Sequence, residues 1–205
     1  MSPTHILENV YNLSMATLNV IGMQQVHEVK VVCVGKKDAG RIIKNCDGLI
    51  TNSPEVILKI SVADCLPIFF YNPSTNSIGL VHAGWRGLYK GIIKNAINLM
   101  NKKFGANPED IFVFIGPHIC QKHYEIKSDV YNKFKNYPKA IKKVKEKIYL
   151  DLGEIAGEQL TKFGVSESNI QIDENCTFED KTLFSHRRGN AGKATSYLFR
   201  LPDSS

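Results

Sequence analysis

The amino-acid sequence predicts a mixed α/β (α+β) domain. Short runs rich in β-branched and aromatic residues, the signature of strands, alternate with stretches of helical period, and that alternation favours mixed sheets with flanking helices. The chain has 205 residues, 43% of them hydrophobic and 22% charged, enough for one sizeable core. No Pro/Gly/Ser-rich linker divides it, so residues 1–205 are expected to form a single domain.

Residues 1–25 show no clean period. Residues 29–34 (Val-Lys-Val-Val-Cys-Val) read as a strand with His27 just before it, 36–45 as a polar loop, and 47–51 as a turn into a short strand. The apolar runs 56–62 and 66–71 read as buried strands, 72–76 as a turn, and 77–82 as the returning arm of a hairpin. A five-residue loop sets His82 opposite Leu66, with Cys65 one step away. Strict alternation then points Cys65 and His82 to opposite faces, so their convergence requires a kink or bulge near Pro67. A helix is predicted over 88–104, with Ile92, Ile93, Ala96, Ile97 and Met100 on one face and Gly105 as its stop. Residues 107–110 form a turn and 111–115 a strand ended by Gly116-Pro117. Helices follow at 128–134 and 152–163, the latter capped by Asp151, and strands at 170–172 and 194–201. Residues 184–189 interrupt this pattern with a polar, basic segment.

Composition excludes several classes. Five cysteines (Cys33, Cys46, Cys65, Cys120, Cys176) form an odd, scattered set without a CxxC, which indicates reduced thiols and a cytoplasmic protein. No apolar stretch reaches the roughly 20 residues of a membrane span, and the first five residues lack the pattern of a signal peptide. The net charge of +6 comes largely from lysines, densest over 139–147. Without an RNP, KH or zinc-finger pattern these read as a solvated face, so no nucleic-acid or membrane partner is expected.

Chemistry concentrates where apolar runs stop at Cys65 and His82, beside the chain's one tryptophan, Trp85, and Arg86. With His27 they make a set of two imidazoles and a thiolate. That set suits zinc ahead of copper and leaves a fourth position open. The same residues admit a Cys65 nucleophile activated by His82, and the plain alternative is a structural cysteine beside two ordinary histidines. Arg86 and Arg187-Arg188 are candidates for holding an anion, with surface salt bridging as the alternative. Trp85 serves packing or ring stacking. His118 and His123 flank Cys120, a pattern that reads as a surface loop rather than a second metal site.

On these residues the chain resembles the YfiH/PgeF family, also called laccase-domain, purine nucleoside phosphorylase-like or peptidoglycan editing factor. The matching segments are Gln25-Val26-His27, Asp47-Gly48-Leu49-Ile50-Thr51, Ala63-Asp64-Cys65-Leu66-Pro67 and Val81-His82-Ala83-Gly84-Trp85-Arg86-Gly87. They continue through Ile115-Gly116-Pro117, Tyr124-Glu125, Leu150-Asp151-Leu152, Cys176-Thr177 and Phe184-Ser185-His186-Arg187-Arg188. The resemblance implies a sandwich of mixed sheets like that of a cytotoxic-necrotizing-factor-like cysteine hydrolase. It also implies zinc on His27, Cys65 and His82, which are then the catalytic residues; Arg86 and Arg187 are the candidates beside them for holding substrate or phosphate, and Asp64, with Glu28, is the carboxylate nearest in sequence. The implied activity is phosphorolysis of adenosine, inosine and methylthioadenosine, with adenosine deamination. The rivals are removal of a misincorporated amino acid such as serine from a UDP-MurNAc peptidoglycan precursor, and a non-catalytic degenerate member. A polyphenol oxidase is disfavoured, because a multicopper enzyme needs many imidazoles, commonly in His-x-His pairs, and this chain has six histidines and no such pair. The expected partner is a small molecule, and the expected state a monomer or weak homo-oligomer. Residues 1–23 lack the family's usual N-terminal segments and read as a shortened start. Glu28 replaces a usual glycine, Cys120 stands where glycine is common, and Lys193 where arginine is.

Overall fold

In a computed structural model, which describes residues 19–198, the strands form two stacked sheets and a small third one. The largest has six strands in the order β12-β8-β6-β7-β4-β2. In chain order these are β2 (Val31–Cys33), β4 (Gly48–Thr51), β6 (Leu66–Asn72), β7 (Ser77–Ala83), β8 (Phe112–Ile115) and β12 (Ile170–Ile172). A four-stranded sheet, β13-β5-β1-β3, is built from β1 (Val20–Met23), β3 (Ile42–Ile43), β5 (Ile57–Val62) and β13 (Ala194–Leu198). The third combines β9 (Glu125–Ile126), β10 (Ile141–Val144) and β11 (Lys147–Leu150). Parallel pairs (β2–β4, β8–β12, β1–β5) stand beside antiparallel ones (β4–β7, β6–β7, β6–β8), so the sheets are mixed as expected.

Two cores explain why the central strands read as continuous apolar runs. Ile50, Ile68, Phe70 and Val81 share a core with the helices α1 (Trp85–Lys90), α2 (Ile92–Phe104), α3 (Ser128–Phe134) and α4 (Leu152–Lys162). Their strand neighbours Leu49, Phe69, Leu80 and Ile78 face the other way, onto Ile21, Leu58, Ile60 and Val62 of the four-stranded sheet. A strand buried on both faces has no polar side to show. All seven residues of β7 are buried. The outer sheet covers only one face, and β5 accordingly alternates between buried Leu58, Ile60 and Val62 and half-buried Lys59 and Ser61.

Two expectations need correction, and two further elements went unread. The β6–β7 loop is one residue shorter than counted, with Asn72 pairing Ser77, so His82 faces Pro67 and Leu66 faces Ala83. A shift of one residue exchanges the faces, and it brings the side chains of His82 and Cys65 to the same side without a bulge. Pro67 is accommodated because the His82 N–H turns outward to the Asp47 carbonyl at 2.7 Å, so the β6–β7 ladder needs no N–H there. The helix expected over 88–104 is two helices, broken at Gly91, which takes φ 91°. That left-handed residue caps the first helix and opens the second. The lysine-rich segment 139–147 folds as the hairpin β10–β11, turned at Lys145 with φ 53°. Strand β1, which pairs with β3 and β5, was not legible among residues without a clean period. His5 and residues 1–18 lie outside the described residues, as do the last residues of the 194–201 strand. No helix among the described residues is long and apolar enough to cross a membrane.

Candidate metal centre

At one end of the six-stranded sheet, three segments deliver three ligand atoms. One nitrogen each of His27 and His82 and the sulfur of Cys65 all lie within 4.8 Å of one another. His82 is the last polar residue of β7 and is buried, Cys65 precedes β6 and is partly covered, and His27 stands exposed on the loop between β1 and β2. The two rings meet edge to face with centroids 4.7 Å apart.

Asp47, which immediately precedes β4, organises this arrangement. It is fully buried, and its Oδ1 lies 2.8 Å from His82 Nδ1. A carboxylate accepts, so Nδ1 carries the proton and Nε2 keeps its lone pair for a ligand. The same carboxylate accepts the backbone N–H groups of Val26, His27 and Glu28 at 3.1, 2.9 and 2.9 Å. One side chain thus orients one imidazole and fixes the loop that carries the other. Burial pushes the Asp47 carboxyl up, but the bonds from His82 and the three N–H groups outweigh it and hold it below its ordinary value. Gln25 anchors the same loop, donating from Nε2 to the Ser61 carbonyl at 2.8 Å and accepting the Ser61 N–H at 3.0 Å. Neither residue was singled out from sequence. Asp47 reads there as a turn residue, and only its pairing opposite His82 reveals its part.

Backbone conformation also marks the site. His27 takes φ 60° and Asp64, beside Cys65, φ 78°, a left-handed region in which side chains other than glycine cost free energy. Gly84 has ordinary dihedrals, yet a Cβ there would sit 2.9 Å from Cys65 Sγ and 3.4 Å from His27 Cδ2. Space, rather than backbone freedom, requires this glycine. Gly84→Ala is expected to displace two of the three ligands and to weaken metal binding about 100-fold, the scale of loss for a misplacement near 1 Å; competition with a chromophoric chelator measures it.

The electrostatics favour a cation over a free thiol. Burial pushes the Cys65 thiol up to about 12, the Asp64 and Asp47 carboxylates add to that, and Lys193 and Arg86 oppose it. Burial also lowers His27, helped by His82, Arg86 and Lys193 against Asp47, so its imidazole stays neutral. A protonated thiol is a poor nucleophile, whereas a cation among two neutral imidazoles and the sulfur would draw out the thiolate. The sulfur-and-two-nitrogen donor set, the carboxylate behind one imidazole and the gap at Gly84 all fit a zinc ion.

The remaining expected residues are placed differently. Arg86 is exposed with its guanidinium 4.4 Å from the Trp85 ring centroid, and among the described residues no carboxylate pairs with it. Asp64 is buried and turned away, its Oδ1 accepting Thr177 Oγ1 at 2.6 Å and its Oδ2 the Arg187 N–H at 2.7 Å. The Arg187 guanidinium donates to the carbonyls of His123 and Glu125, and Arg188 donates to those of Thr177, Phe178, Asp180 and Leu183. These two arginines secure loops. Glu28 pairs with Lys90 at 2.6 Å instead of joining the ligands.

His118, expected on a surface loop, is instead buried against the start of α4 at Gly153, donating from Nδ1 to the Gly116 carbonyl at 2.9 Å. Burial depresses its pKa below the ordinary 6.5, against the raising effect of that bond. The unfolded chain therefore binds the proton more readily. Stability is fully present above pH about 6.5 and is lost as pH falls from there toward the folded value. Urea midpoints measured between pH 7.5 and 5.5 should show this loss, and His118→Asn should flatten part of it.

The family described as multi-copper polyphenol oxidoreductase laccase matches residues 2–200. The chain is 33% identical over 189 residues to the purine nucleoside phosphorylase YlmD of Bacillus subtilis strain 168, a match spanning 85% of this chain and 68% of that protein. Its fold superposes on YlmD from Geobacillus stearothermophilus with a TM-score of 0.85 and 32% identity, covering 90% of this chain and 74% of that one. The Bacillus licheniformis hypothetical protein YfiH gives a TM-score of 0.84 and 31% identity, with 89% and 74% covered.

Proposed function

Because the chain belongs to this laccase-like family of YfiH and YlmD, we propose that it is a zinc-dependent purine nucleoside phosphorylase acting on adenosine, inosine and methylthioadenosine, with adenosine deamination as a second activity. The observation that carries the reading is the His27–Cys65–His82 group with the exposed Arg86 guanidinium beside it, which no carboxylate among the described residues pairs with. The name carried by the Bacillus subtilis relative supports it. Among the described residues only one group of candidate ligands gathers two imidazoles, too few for the several coppers of a polyphenol oxidase.

Zinc held by His27, Cys65 and His82 would supply a Lewis acid. The protein's own groups do the rest. Arg86 binds the phosphate dianion, which attacks the anomeric carbon of the ribose while the bond to the purine nitrogen breaks and its electrons leave with the base. Burial, reinforced by Cys65, pushes the Tyr124 phenol up despite Arg187 and Arg86, so it stays protonated and can donate a hydrogen bond near the ligands.

The test is base release from adenosine and inosine with and without phosphate, followed by chromatography. Phosphate-dependent adenine and hypoxanthine, with Arg86→Ala raising the KM for phosphate, is the expected result. No phosphate-dependent release from any purine nucleoside refutes the reading, and release of serine from a muramoyl-serine nucleotide would replace it with amide hydrolysis.

A further inference from the structure

We infer that the chain carries a second zinc site, formed by Cys120, His123 and Glu179, on loops that brace the first. The sulfur, an imidazole nitrogen and a carboxylate oxygen of these residues lie within 4.8 Å of one another. None of them belongs to the His27–Cys65–His82 group, so the inference stands apart from the reading of function.

The donors come from two loops held in register. One precedes β9 and the other follows β12. Thr177 N–H donates to the His118 carbonyl at 3.0 Å, and Cys120 N–H donates to Cys176 Sγ at 3.2 Å. Glu179 sits on a turn closed by its own N–H to the Cys176 carbonyl at 3.0 Å. The His123 ring is held flat against Phe178, with centroids 4.3 Å apart and planes 25° from parallel. Its Nε2 points to Glu179 Oε1 at 2.9 Å. The ring is therefore placed by packing as well as by its polar partner, so a metal would find it already oriented.

The donor chemistry is zinc's. One thiol, one imidazole and one carboxylate make a borderline set that neither magnesium nor calcium prefers. Buried Cys176 accepts the Cys120 N–H at its sulfur and so holds the Cys120 backbone in place. The occupant seen now is a proton network, with Lys122 also pairing with Glu179. Lys122 is exposed and can swing away, which makes it a competitor for the carboxylate rather than an obstacle.

The site matters through Asp64. Thr177, next to Cys176, donates to its carboxylate at 2.6 Å, and Ile119, next to Cys120, donates to its carbonyl at 3.1 Å. A metal joining the two loops would clamp the residue that precedes Cys65 without touching the first site.

Cobalt(II) titration under anaerobic, reducing conditions tests this, read by the thiolate-to-cobalt charge-transfer band, with zinc displacing the cobalt. Wild type should bind two equivalents, and Cys65→Ala and Cys120→Ala one each. Within the Cys65→Ala background, His123→Ala should weaken the remaining site about 100-fold, and Lys122→Ala should tighten it about two- to fivefold by removing the competing charge. The two single-cysteine variants report each other's site, so misfolding of one does not hide the answer. One equivalent in wild type that Cys120→Ala leaves in place, none in Cys65→Ala, or a band indifferent to Cys120→Ala would overturn the proposal. So would a Cys120–Cys176 disulfide in the isolated protein, seen as two fewer free thiols than the five cysteines provide.

Discussion

Under the proposed function, Cys65→Ala is expected to remove one equivalent of zinc and to lower phosphate-dependent nucleoside turnover by roughly 10³-fold or more, about 4 kcal/mol of barrier. The sulfur is one of three donors gathered within 4.8 Å, and alanine leaves two imidazoles that together hold zinc poorly. His82→Ala should do the same. Cys33→Ala, on edge strand β2, is the control and should change neither quantity. Metal content by mass spectrometry on untagged protein, beside steady-state rates, measures both. Full turnover in a Cys65→Ala protein that has lost its zinc would separate metal from activity and leave the metal a structural role.

Asp47→Ala is expected to have the second largest effect, and on two properties together. It strips the partner from His82 Nδ1 and from three backbone N–H groups in one step. Loss of one member of a buried charged network costs about 3 kcal/mol, which for a chain of 205 residues is roughly 10 °C in Tm. Removing a carboxylate behind a ligating imidazole weakens metal binding about 10- to 100-fold. Asp47→Asn keeps the shape and one acceptor oxygen but turns an NH₂ toward N–H donors, so it should fall between alanine and wild type on both scales. Calorimetry and chelator competition on the two variants check this. A change in Tm without a change in affinity would mean that the loop alone, and not His82, depends on the carboxylate.

The sequence carried the layered fold well because β4, β6 and β7 are covered on both faces, so their runs are mostly apolar and their polar residues (Thr51, Asn72, Ser77, His82) fall near the strand ends. The helix after His82 was legible by period, but Gly91 in its middle could be taken as tolerated. Only the left-handed conformation shows it as a break. The set of His27, Cys65 and His82 was legible as imidazoles and a thiol at strand ends, and the family's motifs reinforced it. The face on which Cys65 and His82 meet depended on a single loop residue, which composition of the turn does not determine. Asp47 and Gln25 were invisible as site residues for the same reason: what they do is set by partners 35 and 36 residues away. The lysine-rich stretch hid a hairpin because β10 and β11 lie in a small sheet whose exposed positions bear the charges.

The full burial of β7 also divides the ligands by how readily each can let go. His82 belongs to the strand with partners on both sides, a part of the molecule that opens only when the whole domain does. His27 stands on an exposed loop held by Asp47 and by one glutamine amide. Brief opening of that loop would free one donor while His82 in the sheet and Cys65 at the start of β6 stay in place. Exchange of the bound ion would then be governed by residues 24–28, on a timescale far shorter than that of unfolding. The two half-buried bonds of Gln25 to Ser61, rather than the strength of the ligands themselves, would set how fast an ion escapes.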